Sequence, residues 1–374
     1  MGNVSRVPFC LTFCPRPATY VSSSAYSTRP PTVPHAEPRI LQRSSDGHAS
    51  AGPERWVKMP LSGTLARGLL SELKLPVPWG HIAAKTWGSL KGHPVLCLHG
   101  WLDNANSFDR LIPLLPQDLY YIAMDFGGHG LSSHYSPGVQ YHYQDFVNEI
   151  RRVAAALKWH RFSIMGHSFG GTVGGMFSCV FPEMVDKLIL LDSLPFFVDC
   201  SEIDNLLIYK QRAIEQVLQL EASTKPPTVH SPEEVLQRLL QNNAAVGEEC
   251  GKLLLQRGTT QVASGLVLNR DRRISLPELC FDFISKDQLL RCIQNLQAHV
   301  LIVKAQQGLY SLRREDTDRT PMNLITGMLQ AILKKRYQFV EIPGNHYIHM
   351  NEPYKLAKIV SAFLKSEVRP LSKL

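Results

Sequence analysis

The residue in this chain best placed to do covalent chemistry is Ser168, held between glycines in Gly166-His167-Ser168-Phe169-Gly170. The pentapeptide follows the apolar run FSIM and precedes the glycine-rich run GTVGGMF. A strand that turns sharply into a helix leaves its middle side chain exposed on a strained backbone. Small residues two before and two after must relieve the crowding. Gly166 and Gly170 supply them. A hydroxyl held this way can attack a carbonyl, and the helix N-terminus beneath it favours the negative charge that develops. The attack needs a base. His346 follows the run YQFVEIPG late in the chain, where the histidine of a Ser-His pair is expected. His349, three residues on, is the second choice. Two backbone N–H groups must also hold the oxyanion, one after the nucleophile and one from a loop after an earlier strand. Phe169 and Trp101 occupy those positions. His99, in the Trp101 loop, reads as a turn-stabilising side chain.

These residues need a scaffold, and its elements are legible from about Ser71 onward. The runs ELKLPVP, HIAAKTWG, HPVLCLHG, LYYIAMDFGG, FSIMGHS, KLILLDS, HVLIVKA and YQFVEIPG alternate with helical stretches. Continuous apolar strands separated by helices predict an α/β fold with a mostly parallel sheet covered on both faces. The last helix, from Glu352, places Leu356, Ile359, Val360, Phe363 and Leu364 on one stripe. Between Leu194 and about Asp287 the strand pattern stops. There NLLIYKQRAIEQVLQL is amphipathic, and SPEEVLQRLL opens with a capping box of Ser231, Pro232 and Glu234. EECGKLLLQRG ends in Gly258, suited to a helix C-cap. The chain is therefore expected to divide into a disordered, basic, Pro/Ser-rich extension (1–68), a first core segment (69–194) and a helical cap (195–287). A second core segment (288–368) and a short tail (369–374) follow.

Composition narrows the partners. The 374 residues carry a formal charge of +8 with 44% apolar side chains. No apolar run approaches the ~18 residues that span a bilayer. No basic-aromatic stripe points to nucleic acid. The eight cysteines form no CxxC pair or metal-ligand spacing, so no metal is expected and the thiols read as reduced. The DFG in DFGGHGLS lacks the other kinase motifs and reads as a turn in which Asp125 accepts from backbone amides. Arg270, Arg272 and Arg273 could meet the phosphate of a substrate such as an acyl-CoA, but a charge run is ordinarily a solvated face.

The segments VLCLHGWLDNANSFDRLIPLLP, AMDFGGHGLSSHYSPG, GHSFGG and IPGNH together resemble the serine hydrolase-like proteins of the α/β-hydrolase superfamily, from about Ser71 to Phe363. The resemblance implies an eight-stranded α/β-hydrolase core, a helical cap, Ser168 as nucleophile and no cofactor. Epoxide hydrolases and haloalkane dehalogenases of the superfamily place an aspartate at the elbow, so the serine here disfavours their chemistries. The expected reaction is hydrolysis of a small-molecule ester or thioester with an apolar acyl group, through an acyl-enzyme. In this superfamily the acid that orients the histidine generally follows the seventh strand. Here HVLIVKA is followed by QQGLYSLRREDTD, with Ser311 where an aspartate is expected and Glu315, Asp316 and Asp318 beyond it. Asp192, at the end of LILLD after the sixth strand, is the other position from which a carboxylate reaches the histidine. Asp192 and Asp316 are thus the two candidates. If neither serves, the alternative is a catalytically weak or silent hydrolase-like ligand-binding protein.

The ends carry addresses. Ser372-Lys373-Leu374 matches the tripeptide grasped by the peroxisomal import receptor. Residues 1–60 are proline-rich and contain no acidic residue before Glu37. That is the composition of a mitochondrial presequence, although prolines oppose its amphipathic helix. Peroxisomal residence is the expectation, with cytoplasm or mitochondrion as alternatives. Deleting residues 372–374 should move the untagged protein from peroxisomes to cytosol by immunofluorescence. Unchanged peroxisomal import, or mitochondrial import driven by residues 1–60, would overturn this reading.

Overall fold

The computed structural model describes residues 57–59, 69–197, 206–223, 226–275, 284–309 and 320–367. The elements begin with β1 (Val57–Met59), β2 (Leu69–Val77), β3 (Gly80–Gly88), β4 (Pro94–Leu98), β5 (Tyr120–Met124) and α1 (Tyr143–Ala156). Next come β6 (Phe162–His167), α2 (Phe169–Val180) and β7 (Val185–Leu191). The inserted region contributes α3 (Leu206–Glu221), α4 (Pro232–Asn242), α5 (Glu248–Gly258), β8 (Thr259–Val262) and β9 (Gly265–Leu268). The chain continues with α6 (Lys286–Asn295), β10 (His299–Gln307), α7 (Thr320–Leu333), β11 (Tyr337–Asn345), α8 (Ile348–Asn351) and α9 (Pro353–Lys365).

The main sheet runs β1-β2-β3-β5-β4-β6-β7-β10-β11. From β5 to β11 neighbouring strands are parallel, whereas β1, β2 and β3 join antiparallel at one edge. Eight of these strands are the apolar runs of the sequence. The ninth, β1, lies in the stretch assigned to the extension and pairs Val57 with Lys74. Three residues are too few for a period to be read, so the sequence carried no signal for it. Alternation along each strand divides the core into two layers. Leu96 and Leu98 of β4 face α1 and α2, while Val95 and Cys97 face the side covered by α9. Leu356, Val360, Phe363 and Leu364 of α9 are buried there, and Ile359 is partly buried. Each such side chain contributes about 1.5–3 kcal/mol relative to exposure. Among the described residues no helix is long and apolar enough to cross a membrane.

The insertion is not purely helical. β8 and β9 form an antiparallel hairpin, Thr259 opposite Leu268, turning at Gly265 with φ 146°. TTQV and GLVL are four residues each, too short for a strand period to stand out within the otherwise helical block. Gly258 does not cap α5 with a left-handed turn; the chain passes from it directly into β8. The capping box of α4 is in place, with the Glu234 N–H donating to Ser231 Oγ at 3.2 Å and the Ser231 N–H to Glu234 Oε2 at 3.0 Å. The boundary drawn at 287 falls inside α6, which starts one residue earlier behind the Ser285 cap.

Two arginines hold the insertion to the core. Arg257 of α5 is 4% exposed and donates through Nε to Asp125 at 2.8 Å and through an η nitrogen to Glu72 at 2.8 Å. Asp125 also accepts from the Ala105 and Leu131 amides, as a turn carboxylate was expected to do. Arg273 is not part of a solvated face, nor is it free for a phosphate. It pairs with Asp271 at 2.6 Å and donates to the Tyr135, Ser136 and Val139 carbonyls. Arg272 reaches Ser223 Oγ. Removing Arg257 would strand a fully buried Asp125 carboxylate. Arg257→Met should lower the unfolding free energy by about 3 kcal/mol, measured by urea denaturation; a change within 1 kcal/mol would show that the pair is energetically idle.

Candidate active site

The turn after β6 carries Ser168 at φ 50° and ψ −120°, a left-handed conformation that a residue with a side chain adopts only when its surroundings impose it. The surroundings are the parallel ladders on either side. Leu98 of β4 pairs with Gly166, and the Ser168 N–H donates to the Leu191 carbonyl of β7 at 3.2 Å. A Cβ at Gly166 would lie 2.5 Å from the Gly170 carbonyl oxygen, and one at Gly170 would lie 2.3 Å from the Leu98 oxygen. Both glycines are therefore required by close approach of backbone to backbone.

Ser168, His346 and Asp192 come together. The Ser168 hydroxyl lies 3.0 Å from His346 Nε2, and His346 Nδ1 lies 2.6 Å from Asp192 Oδ2. A carboxylate can only accept, so Nδ1 carries the proton and Nε2 accepts from the serine hydroxyl. Asp192 is 1% exposed and has φ 44°. It also accepts from the Ala305 amide at 2.9 Å through Oδ1 and from the Leu309 amide at 2.9 Å through Oδ2. Gly308 makes room for it: a Cβ there would stand 2.3 Å from both carboxylate oxygens. Ser311, Glu315, Asp316 and Asp318 lie outside the described residues, as do Ser372, Lys373 and Leu374. His349 is not brought to the serine. It is fully buried, bonds Ser107 Oγ at 2.7 Å, and is pulled down to about 3 chiefly by burial.

On the other side of the nucleophile is the loop after β4. Leu102 in it takes φ 63°, and the Trp101 and Phe169 rings meet edge to face at 5.1 Å. These contacts bring the first residue of α2 and the β4 loop against each other. His99 does act within the turns: it bonds the Gly100 carbonyl at 2.8 Å through Nδ1, and Nε2 accepts from the Phe126 amide at 3.1 Å. Burial lowers it to about 4. Among the described residues no group of three or more His, Cys, Asp or Glu side chains is disposed to hold a metal ion.

The class is that of the α/β hydrolases. Residues 93–232 match the family described as alpha/beta hydrolase fold. A hypothetical protein of Pseudomonas aeruginosa, 28% identical, superposes with a TM-score of 0.68 over 79% of this chain and all of that one. Human serine hydrolase-like protein 2 is 63% identical over 305 residues, covering 82% of this chain and 97% of the relative. The mouse serine hydrolase-like protein is 62% identical over 307 residues, covering 82% and 99%. The chain belongs to the serine hydrolase-like family of α/β hydrolases.

A second carboxyl near the histidine had no sequence signal beyond its place in HGWLDN. Asp103 is 5% exposed; its Oδ1 accepts from the Tyr347 hydroxyl at 3.1 Å. Its Oδ2 lies 3.8 Å from His167 Nδ1, and neither of these two atoms has a hydrogen-bond partner within the protein. His167 Nε2–H donates to the His346 carbonyl at 2.9 Å. Burial pushes Asp103 up to about 7, against an ordinary value of 3.8. The folded state therefore holds this proton more tightly than the unfolded chain. Its contribution lowers stability as pH rises from about 4 to about 7 and is constant outside that window. Asp103→Asn, which keeps an acceptor for Tyr347, should flatten unfolding free energy against pH across that window. A profile parallel to wild type would show that Asp103 does not titrate there.

Proposed function

We propose that this hydrolase cleaves esters or thioesters with an apolar acyl group through an acyl-enzyme on Ser168. The observation that carries the reading is the unbroken chain Ser168–His346–Asp192, at 3.0 and 2.6 Å. Ser168 Oγ attacks the carbonyl carbon while its proton passes to His346 Nε2. The imidazolium that forms is stabilised and oriented by Asp192. The Phe169 and Trp101 amides are the proposed oxyanion donors, one at the start of α2 and one on the strained β4 loop. His346 then gives the proton to the leaving alcohol or thiol, and a water repeats the sequence to release the acid. Trp101 and Phe197 are partly buried and meet the Phe169 and Tyr143 rings edge to face, which supports an apolar acyl group. The silent binding alternative rested on a missing acid; Asp192 meets the geometric requirement for one.

A fluorophosphonate probe should label the wild type and not Ser168→Ala. Asp192→Asn should reduce acyl-ester turnover by up to about 10⁴, with KM changed far less. Thermal melts check that each variant folds. Absence of labelling in well-folded wild type favours the silent reading, and an Asp192→Asn enzyme with wild-type turnover leaves a Ser168–His346 dyad.

A further inference from the structure

Away from this site, two thiols lie against each other where α6 docks on the C-terminal end of α2. Cys179 is in the last turn of α2, and Cys292 is on α6. One turn beyond Cys292, Asn295 Nδ2–H donates to the Cys179 carbonyl at 2.6 Å, fixing the two helix ends together. The Cys179 and Cys292 side chains adjoin at this joint, each acting on the other's ionisation. Both line an open groove of about 490 Å³ together with Val180, Arg291, Gln294 and Asn295. Cys179 is buried in it and Cys292 is partly exposed.

We propose that Cys179 and Cys292 form a dithiol oxidation site for hydroperoxides, with Cys292 attacking and Cys179 resolving. The geometry sets the order. Cys292 is partly exposed at the groove, whereas Cys179 is buried in its wall. The neighbouring Cys179 side chain draws the Cys292 thiol down to about 7 against its partial burial. Burial holds Cys179, Cys97 and Cys250 above the ordinary thiol range. Since the thiolate is the nucleophile, Cys292 is the reactive member among the described cysteines.

In the first step the Cys292 thiolate sulfur attacks one peroxide oxygen. An S–O bond forms, the O–O bond breaks, and the leaving hydroxide or alkoxide takes a proton. Sulfur is oxidised to a sulfenic acid and the peroxide is reduced. The Cys179 sulfur then displaces the hydroxyl from the Cys292 sulfur, and the Cys179 proton leaves with it as water. Two thiols and one hydroperoxide give one disulfide, one water and one alcohol or second water. The loop so closed contains all of α3, α4 and α5, and the bridge ties down the helix that Ser168 begins.

The full-length reduced protein is exposed to one equivalent of hydrogen peroxide, blocked with N-ethylmaleimide, and digested without reduction for peptide mass mapping. A Cys179–Cys292 linked peptide that dithiothreitol reverses is expected, with Tm raised by roughly 2–8 °C. In Cys179→Ser, dimedone should trap a sulfenic acid on Cys292; in Cys292→Ser, Cys179 should stay unlabelled. The wild-type map needs neither variant. The proposal is overturned if no such linked peptide forms, if Cys292 bridges mainly to another cysteine, or if dimedone labels Cys179 rather than Cys292.

Discussion

The Asp192 carboxylate accepts from three elements at once: the Ala305 amide of β10, the Leu309 amide beyond it, and His346 after β11. Two acceptor atoms serve three donors, so the carboxylate is fixed in space by the sheet and not by its own rotamer. Its backbone is fixed as well, because the Asp192 N–H donates to the Val303 carbonyl at 2.7 Å. A carboxylate this buried is tolerable only when donors surround it. The arrangement holds three neighbouring strand ends, β7, β10 and β11, at one mutual offset, and that offset sets the histidine at 3.0 Å from the serine. A one-residue slip at β10 would remove both amides from the acid and release the imidazole.

The opposite wall is built on the same logic with a different carboxylate. β4 starts the parallel region; the chain proceeds to β5 on one side and, later, to β6 on the other. The loops leaving β4 and β6 diverge there, opening the crevice in which α/β sheets bind ligands. Asp125, after β5, fastens the β4 loop through the Ala105 amide and fastens the insertion through Arg257. Asn104 and Asn106 of that loop donate to the Leu254 and Leu253 carbonyls of α5, each at 2.9 Å. The β4 loop and α5 therefore move as one unit. In the proposed reaction, displacing the insertion would also displace the Trp101 amide.

What the sequence disclosed and what it hid differ in kind. The elbow was legible because its requirement is local: Gly166 and Gly170 surround Ser168 within five residues, and the close contacts that demand them involve adjacent strands of fixed order. His346 was legible from chain order. The acid was left between Asp192 and Asp316, because no local pattern encodes that Gly308 leaves space beside Asp192 or that the Ala305 and Leu309 amides meet its carboxylate. Arg273 read as part of a solvated charge run because three of its partners, the Tyr135, Ser136 and Val139 carbonyls, are remote in sequence and belong to irregular backbone; Arg257 carried no signal, because Asp125 and Glu72 are remote as well. β1 and the β8–β9 hairpin were missed because three- and four-residue strands are shorter than any period that could reveal them.

The histidines around His346 show how the interior accommodates a charge that comes and goes. His167 lies with its ring centre 4.6 Å from that of His346, and His349 lies 4.0 Å from His167. Burial lowers both, His349 to about 3 and His167 well below the usual imidazole range. They are hydrogen-bonding groups without charge at neutral pH. The consequence can be sized. A second positive charge 4.6 Å away would oppose an imidazolium on His346 by about 3–4 kcal/mol at an effective dielectric near 20. That is more than a hundredfold against the proton transfer of the proposed reaction. Neutral imidazoles supply the needed donor to the His346 carbonyl without that penalty. A lysine or arginine in the same place could not give up its charge as readily, and an aliphatic residue could not donate. Desolvation of His167 and His349, a cost when each is considered alone, keeps both rings uncharged beside His346, so that in the proposed reaction its imidazolium meets no like charge from them.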